Sequence, residues 1–371
     1  LFNRGDLFYS RRIGGAPIKN NQNLFNLDST ERVINNPSNT RLINVAKISG
    51  RNKKGLGIGV MNAVTASSNA VVLDDLTGIT REIETNPLVN YNIISFDQNL
   101  KNNSSIYFIN LNTARAGEYI DANVSALGVD LISKNSTYAI GGDLKISQRD
   151  TNLLNNFFEG SDDDGLSYFV NLAKIKGNFK YSISSESKSP GFNPNDLGIN
   201  FTTNIRKHSI EFEYNKYNPF WILNRNFNRF SFDLDQEYSS GKILKKNYSG
   251  RYFFDLKSFN AIIINMSAQV GDGIDLFESR IANQKFIVPE YYYNGIGISS
   301  DYRKSFALDA NIGYGKGYFT DYIVNQYIEF NVSPIIRFSD KFTLTPSSNF
   351  SVLYNGAGFA GYFEGFPKYG V

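Results

Sequence analysis

The stretch Ile210-Glu211-Phe212-Glu213-Tyr214 alternates large apolar and acidic side chains. Successive side chains of a β-strand point to opposite faces, so this strand has one apolar and one charged face. The same alternation returns at 230–235, 244–252, 308–314 and 328–332. Apolar residues at helical spacing are hard to find along the chain. The sequence therefore predicts an all-β protein.

Weaker alternation marks further strands, and about sixteen to eighteen are expected in all. These further segments are 42–48, 56–64, 88–99, 104–113, 122–133, 138–147, 167–174, 179–185, 197–203, 259–269, 293–301 and 342–353. Long connections are expected at 13–40, 149–165, 215–229, 271–292 and 315–326. Short turns mixed with long loops are typical of transmembrane antiparallel β-barrels.

Composition favours a barrel in a bacterial outer membrane, crossing it many times. The longest apolar run, Ala261-Ile262-Ile263-Ile264, is far shorter than the ~20 residues of a membrane-spanning helix. A mean hydropathy of -0.31 is compatible with membrane strands, which show lipid only half of their side chains. A soluble sandwich or propeller would also alternate, but its strands are shorter and its aromatic residues do not gather at strand ends.

The remaining composition excludes several classes of function. The chain has no cysteine and one histidine, His208, so no cofactor and no zinc or thiolate site is expected. A net charge of +3 with interleaved signs gives no basic face for nucleic acid. Ser209 follows His208 but points to the opposite face, and with no other partner visible a hydrolase is the least favoured class.

Two domains are predicted, an N-terminal lead-in at 1–41 that acts as a plug or rim segment and a barrel over 42–371. The chain opens without a signal peptide. It closes on Phe366-Pro367-Lys368-Tyr369-Gly370-Val371, which reads as a turn. Both ends are therefore expected to lie inside a longer protein, with closing strands of the barrel beyond residue 371.

Four ordered blocks resemble a barrel domain of unknown function found in Bacteroidota outer-membrane proteins, where it follows a family-9-like carbohydrate-binding module. The blocks are Asp6-Leu7-Phe8-Tyr9-Ser10-Arg11-Arg12-Ile13-Gly14, Ala46-Lys47-Ile48-Ser49-Gly50-Arg51, Gly57-Ile58-Gly59-Val60-Met61-Asn62-Ala63-Val64-Thr65 and Ser189-Pro190-Gly191-Phe192-Asn193-Pro194-Asn195-Asp196-Leu197-Gly198. The blocks span about the first 200 residues. The resemblance implies an outer-membrane location and an upstream sugar-binding module, but no catalytic residues.

The first block pairs aromatic side chains with guanidinium groups. Phe8, Tyr9, Arg11 and Arg12 suit a plug or rim segment packed against carboxylates of the barrel interior. The fourth block, rich in proline and glycine, is expected to form a rigid turn, with ligand binding the less favoured role.

A ladder of charges is predicted to face the barrel interior. Its members are Glu211, Glu213, Asp233, Asp235, Lys245, Arg251 and Lys257. Such a ladder can select hydrophilic solutes by opposed charges, as rings of charged side chains do in pores. The competing interpretation, mutual neutralisation inside a filled barrel, is equally favoured.

Two loops carry weaker signals. Asp162, Asp163 and Asp164 form a weak calcium candidate, because the spacing and terminal glutamate of an EF-hand are missing; a solvated acidic loop is the default. Phe220 and Trp221 place aromatic surface in a connection, which favours contact with a partner or with the membrane interface.

Function is therefore expected to be that of a conduit for hydrophilic solutes, linked to carbohydrate binding or uptake through the resemblance. The alternative is a plugged membrane platform or a subunit of an outer-membrane complex. Expected partners are outer-membrane lipids and lipopolysaccharide, carbohydrate or small hydrophilic solutes, and outer-membrane or periplasmic proteins. An open polar interior would distinguish the conduit from the platform.

Overall fold

The computed structural model describes residues 1–20, 25–150, 164–276, 278–281, 284–318, 324–356, 358–363 and 366–370. Short 3-10 turns lie at Arg4–Asp6, Ser10–Arg12 and Lys101–Asn103. No helix among these residues is both long enough and apolar enough to span a membrane. The rest of the regular structure in the described residues is β-strand.

The strands are numbered in the order in which they follow along the chain. They are β1 Glu31–Asn35, β2 Leu42–Arg51, β3 Leu56–Thr65, β4 Ser68–Asp74, β5 Thr80–Asn86, β6 Val89–Asn99, β7 Ser105–Arg115, β8 Asp121–Ile132, β9 Tyr138–Asp150, β10 Gly165–Lys174, β11 Phe179–Lys188, β12 Ile205–Lys216, β13 Leu223–Glu237, β14 Ile243–Leu256, β15 Ala261–Gln269, β16 Gly273–Asp275, β17 Phe286–Val288, β18 Glu290–Ser299, β19 Phe306–Tyr318, β20 Val324–Ser339, β21 Phe342–Leu344, β22 Ser348–Tyr354, β23 Gly358–Phe363 and β24 Phe366–Gly370.

The prediction of an all-β chain built on a large antiparallel sheet of the β-barrel class is confirmed. Within the described residues, seventeen strands belong to that sheet, in the range expected from the sequence. Most sequential neighbours in it pair as antiparallel hairpins, which explains why local alternation was sufficient to predict the class.

Three details of the sequence prediction are wrong. Residues 197–203 form no strand, because the side chain of Asn195 bonds both backbone groups of Asn200 and closes a loop. The long connection expected at 215–229 is short, since β12 ends at Lys216 and β13 begins at Leu223. The unpredicted strands β4 and β5 form a separate sheet of three with β1, in the order β1-β4-β5.

Two compact units divide the chain. The first comprises Leu1–Lys134, Ala139–Val170 and Glu186–Ile205, and the second comprises Asn135–Tyr138, Asn171–Ser185 and Arg206–Val371. In the first unit β2, β3, β6, β7, β8 and β9 pair in that order. In the second, β13, β14, β15, β18, β19, β20 and β22 do so.

One face of the first unit's sheet carries its hydrophobic core, and we call it the covered face. Inward side chains such as Ile93 and Ile109 are fully buried there. They pack against residues of the segment 1–13, notably Leu7, and of the loop 189–198, notably Phe192. The chain therefore folds two of its own non-strand segments over this face.

The opposite, apolar face of the first unit is exposed. Ile94 and Phe96 on β6, Phe108 on β7 and Leu127 on β8 each leave about two fifths to half of their surface open. Toward one end of these strands the apolar side chains give way to a row of amides. Register places Asn62, Asn92, Asn112, Asn123 and Gln148 in that row.

The second unit has the same two-faced character in a clearer form. Even-numbered side chains of its strands form an exposed apolar face that includes Phe212, Phe230, Tyr248, Met266, Tyr292, Ile296, Ile312, Phe330 and Phe350. Odd-numbered side chains form the opposite face, which we call the charged face because it holds most of this unit's strand-borne acidic and basic groups.

Candidate functional site

A buried carboxylate attaches the segment 1–13 to the covered face of the first unit, and the sequence analysis did not identify it. Asp97 on β6 is almost fully buried, with 1% of its side chain exposed. Its two oxygens accept hydrogen bonds from Arg4 of the N-terminal segment and from Arg51 of β2. The Nε of Arg4 lies 2.6 Å from the carboxylate. Arg4 also lies over the ring of Tyr107, at 5.3 Å from its centroid. Asp97 thus links the segment 1–13 to the sheet.

A second buried carboxylate holds the loop 189–198. Asp196 has 8% of its side chain exposed and pairs with Arg115 of β7 and Arg149 of β9. Because one acidic group bridges two strands and the loop that covers them, the pair of contacts fixes the loop over the covered face. The rigid turn predicted for this block is therefore built around an ion triad.

The predicted anchors Phe8, Tyr9, Arg11 and Arg12 lie in the segment 1–13 beside the covered face. Phe8 packs against the core, and the backbone of Tyr9 donates a 2.7 Å hydrogen bond to the carbonyl of Leu197. The structure differs from the expected arginine–carboxylate contacts. Arg12 donates to the carbonyl of Gly198 at 2.9 Å, and Arg11 is exposed.

The charged face of the second unit brings most of the predicted ladder together. Arg229 of β13 pairs with Glu213 at 2.7 Å and Glu211 at 3.5 Å, so these groups share one side of the sheet. Asp233 accepts hydrogen bonds from Ser209 and Ser231, at 2.6 and 3.2 Å.

Register extends the ladder onto β14. Asp235 lies opposite Lys245, and Lys245 reaches Asp275 at 3.4 Å. The prediction for Lys257 is wrong, because β14 ends at Leu256 and Lys257 lies in the following turn, where its backbone bonds the carbonyl of Ile222.

Sequence reasoning missed the basic groups of β13. Arg225 pairs with Asp255 at 2.7 Å, and Arg229 pairs with the two glutamates of β12. Both arginines fall within residues 215–229, which the sequence assigned to a loop. Their period-two spacing around Phe227, with Asn226 and Asn228 between them, was a usable but weak signal, because polar residues also fill loops.

A second network on the charged face joins β18, β19 and β20. Glu329 receives the hydroxyl of Tyr293, the hydroxyl of Tyr327 at 2.9 Å and the amide of Asn311 at 3.1 Å. Gly313 lies between Tyr293 and Glu329, and a Cβ there would come within 2.5 Å of the Tyr293 hydroxyl. The glycine is thus required for this carboxylate to be enclosed by donors.

Two cavities open on the charged face. One, of about 390 Å³, is lined by Glu213, Asn215, Phe227, Asn228, Arg229, Arg251 and Phe253. The other, of about 350 Å³, is lined by amide and hydroxyl groups together with apolar residues such as Ile263 and Ile298, and Arg251 is shared between the two. Their walls offer charges and hydrogen-bonding groups suited to polar solutes.

The aromatic loop between β12 and β13 is short. Trp221 has a positive φ of 45° and leaves 79% of its surface exposed. Phe220 lies under the ammonium group of Lys216, which is 3.9 Å from its ring centroid. Partner or interface contact by this loop stays a prediction.

His208 points to the apolar face and has a serine neighbour. Its Nδ1 lies 3.0 Å from the hydroxyl of Ser185 on β11, while Ser209 turns to Asp233. Across the described ranges, His208 donates no hydrogen bond to a carboxylate that would orient it for catalysis. The bond satisfies both polar groups where the surrounding surface is apolar.

The calcium candidate lies mostly beyond the part of the chain that the structure describes. Asp162 and Asp163 are outside the described residues, and Asp164 stands at their edge. Elsewhere in the described chain, no group of three acidic, histidine or cysteine side chains could hold a metal ion.

Comparison with known proteins identifies the family. A family profile described as "Domain of unknown function (DUF5916)" matches residues 1–366. The chain belongs to the DUF5916 family. The blocks quoted from the first 200 residues therefore did indicate a domain of unknown function, and the DUF5916 match extends over the second unit as well.

The comparison of this DUF5916 chain with curated proteins gives no match. Among solved structures, that of OccK5 (OpdH) from Pseudomonas aeruginosa is similar, with 12% sequence identity and a TM-score of 0.35. The likeness covers 83% of this chain and 89% of that chain. A similarity of this size carries no inference about function.

Proposed function

We propose that this DUF5916 protein is an outer-membrane β-barrel whose charged face lines a conduit for hydrophilic solutes. The observation that carries the proposal is the division of the second unit's strands into an exposed apolar face and a face that holds most of their charged groups. Exposed apolar surface on this scale costs free energy in water but is stable against lipid. With the apolar face against lipid, the charged face lines the water-filled conduit.

The membrane placement is tested by charges on the apolar face of the first unit. Replacing Phe108, on β7, with arginine is expected to destabilise the folded protein in bilayers by about 2–4 kcal/mol, the cost of a guanidinium near a bilayer midplane. Asn112, further along the same face of the same strand, lies in the amide row. Its replacement with arginine is expected to cost about 1 kcal/mol or less, as near an interface.

Reversible denaturant unfolding in lipid vesicles measures both free energies of unfolding. Equal losses for the two variants would place Phe108 outside the hydrocarbon layer and contradict the proposed orientation.

Conduction is tested by single-channel recording of the full-length protein in planar bilayers. Stable current steps are expected, with a cation preference that falls when Glu211 and Asp233 are replaced by glutamine and asparagine, because carboxylates beside the path attract cations. The matched control is Glu82→Gln in the separate sheet of three, which should leave selectivity unchanged.

Unchanged selectivity in a conducting Glu211→Gln, Asp233→Asn double variant would remove these carboxylates from the path. A folded protein that never conducts would contradict the conduit and favour the second candidate, a plugged platform. The covered face supports that candidate, because the chain's own segments 1–13 and 189–198 occupy one side of the first unit's sheet.

Three narrower proposals accompany the conduit. The link to carbohydrate and to an upstream sugar-binding module in Bacteroidota follows from the sequence resemblance. Outer-membrane lipids and lipopolysaccharide are the proposed surroundings of the apolar face. We also propose that the protein is not an enzyme, in line with the hydrogen bond of His208 to Ser185 on the apolar face.

A further inference from the structure

Arg251, on the charged face of β14, carries a positive charge that no acidic side chain of the described residues neutralises. Among the described residues, no hydrogen bond or ion pair joins its guanidinium to another side chain, and the residue is exposed. Its cross-strand neighbour on β13 is Arg229. Like charges placed directly opposite each other destabilise a sheet unless an anion lies nearby.

The acidic groups that line the two cavities together with Arg251 already have other hydrogen-bond partners. Glu213 pairs with Arg229 at 2.7 Å. Asp309, which lines a cavity with Arg251, receives the hydroxyls of Tyr302 and Ser299, each at 2.6 Å. The positive charge of Arg251 is therefore left to face solvent in the cavities.

An apolar row runs beside this cation on the same face. Phe253 lies opposite Phe227 on one side and Ile263 on the other. The two phenyl rings are stacked, with centroids 5.8 Å apart. Asn265, the other cross-strand neighbour of Arg251, adds an amide next to the guanidinium. Apolar side chains on a charged face offer a surface for the apolar part of a ligand.

We propose that Arg251 and this row form a subsite for small organic carboxylates with an apolar body. The guanidinium receives the carboxylate through two parallel N–H···O bonds, the Asn265 amide donates beside it, and the body lies on Phe253 and Ile263. Phe253 lines the cavity of about 390 Å³, Asn265 and Ile263 line the one of about 350 Å³, and Arg251 lines both. Either cavity is large enough for a single-ring acid. The proposal rests on the proposed function, since it names a class of solute for the conduit.

Equilibrium binding of benzoate to the detergent-folded, full-length protein tests the site without requiring conduction. Calorimetry should show benzoate bound more tightly than benzamide, which lacks the charge, and than acetate, which lacks the ring. Arg251→Gln should weaken benzoate binding by about tenfold or more, the usual loss of a charge-assisted pair. Arg251→Lys should restore part of it, because the charge remains but the paired donors do not.

Lys245→Gln is the matched control, because Lys245 lies on the same strand and face as Arg251 but is paired with Asp275. It should leave benzoate affinity unchanged. Equal binding of benzoate and benzamide, equal losses in the two glutamine variants, or no binding at all would each overturn the subsite. Current steps without benzoate binding would overturn the subsite and leave the conduit standing. Binding without current would support the subsite and overturn the conduit.

Discussion

Replacing Asp97 with asparagine is expected to release the segment 1–13 from the covered face and to raise the time that the protein spends in its more conducting state. The substitution leaves Arg4 and Arg51 without their shared carboxylate. Breaking a buried ion pair costs about 3–5 kcal/mol, but both arginines are about one third exposed, so about 2 kcal/mol is expected. That shifts the ratio of released to bound segments by about thirtyfold.

Two measurements monitor the release of the segment 1–13 from the covered face. Single-channel recording in planar bilayers reports open time, and a thiol reagent reports exposure of the segment. Because the sequence has no cysteine, a single Leu7→Cys substitution gives a background-free label at a core position with 2% exposure. Labelling should be faster when Asp97→Asn is added.

Asp130→Asn is the control for this prediction. Asp130 also pairs with Arg4, at 3.4 Å, but 54% of its side chain is exposed, so its loss is worth less than about 1 kcal/mol. Labelling of the introduced thiol at the same rate with and without Asp97→Asn would show that the carboxylate does not hold the segment. Faster labelling with unchanged current would show that the segment is held but does not obstruct conduction.

The fold class could be predicted from sequence because its signal is local. Alternation in Ile210–Tyr214 or Phe230–Asp235 reports the two faces of a strand without any knowledge of its neighbours. Because alternation says nothing about contacts distant in sequence, it also explains the two segments that were predicted wrongly. Residues 197–203 alternate weakly but are closed into a loop by Asn195, and β13 begins inside the segment assigned to a loop.

The sequence predicted which face of the sheet the charged groups lie on, but not which groups form ion pairs. Glu211, Glu213, Asp233 and Asp235 share the charged face as alternation requires. Which arginine neutralises which acid depends on cross-strand register, and local alternation does not specify register. Alternation therefore placed Arg251 with the other charges of the ladder, whereas within the described residues the structure gives it no acidic partner.

The anchoring site could not be found from sequence. Asp97 pairs with Arg4 across 93 positions and with Arg51 across 46. Arg4 lies in an Arg-Gly-Asp triplet that gives no indication of this contact. The only local hint was a carboxylate at an inward position after Ile93 and Ser95, where a charge needs a partner when it is buried.

Replacing Asp196 with alanine is expected to destabilise the folded protein by about 3 kcal/mol, since it leaves two partly buried arginines without a counter-charge. Arg115 and Arg149 have 10% and 24% of their side chains exposed, and Asp196 has 8%. The loop 189–198 should lose its hold on β7 and β9, which exposes Phe192 and the core beneath it. Reversible unfolding in lipid vesicles measures the loss.

An exposed pair provides the comparison for Asp196. Arg32 and Asp75 have 60% and 53% of their side chains exposed, so Asp75→Ala should cost about 1 kcal/mol or less. Adding Arg149→Met to Asp196→Ala should recover part of the stability, because it removes one uncompensated charge and keeps an apolar stem of similar length. A loss for Asp196→Ala no larger than that for Asp75→Ala, or no recovery from Arg149→Met, would mean that apolar packing of Phe192 and Leu197 holds the loop without the ion triad.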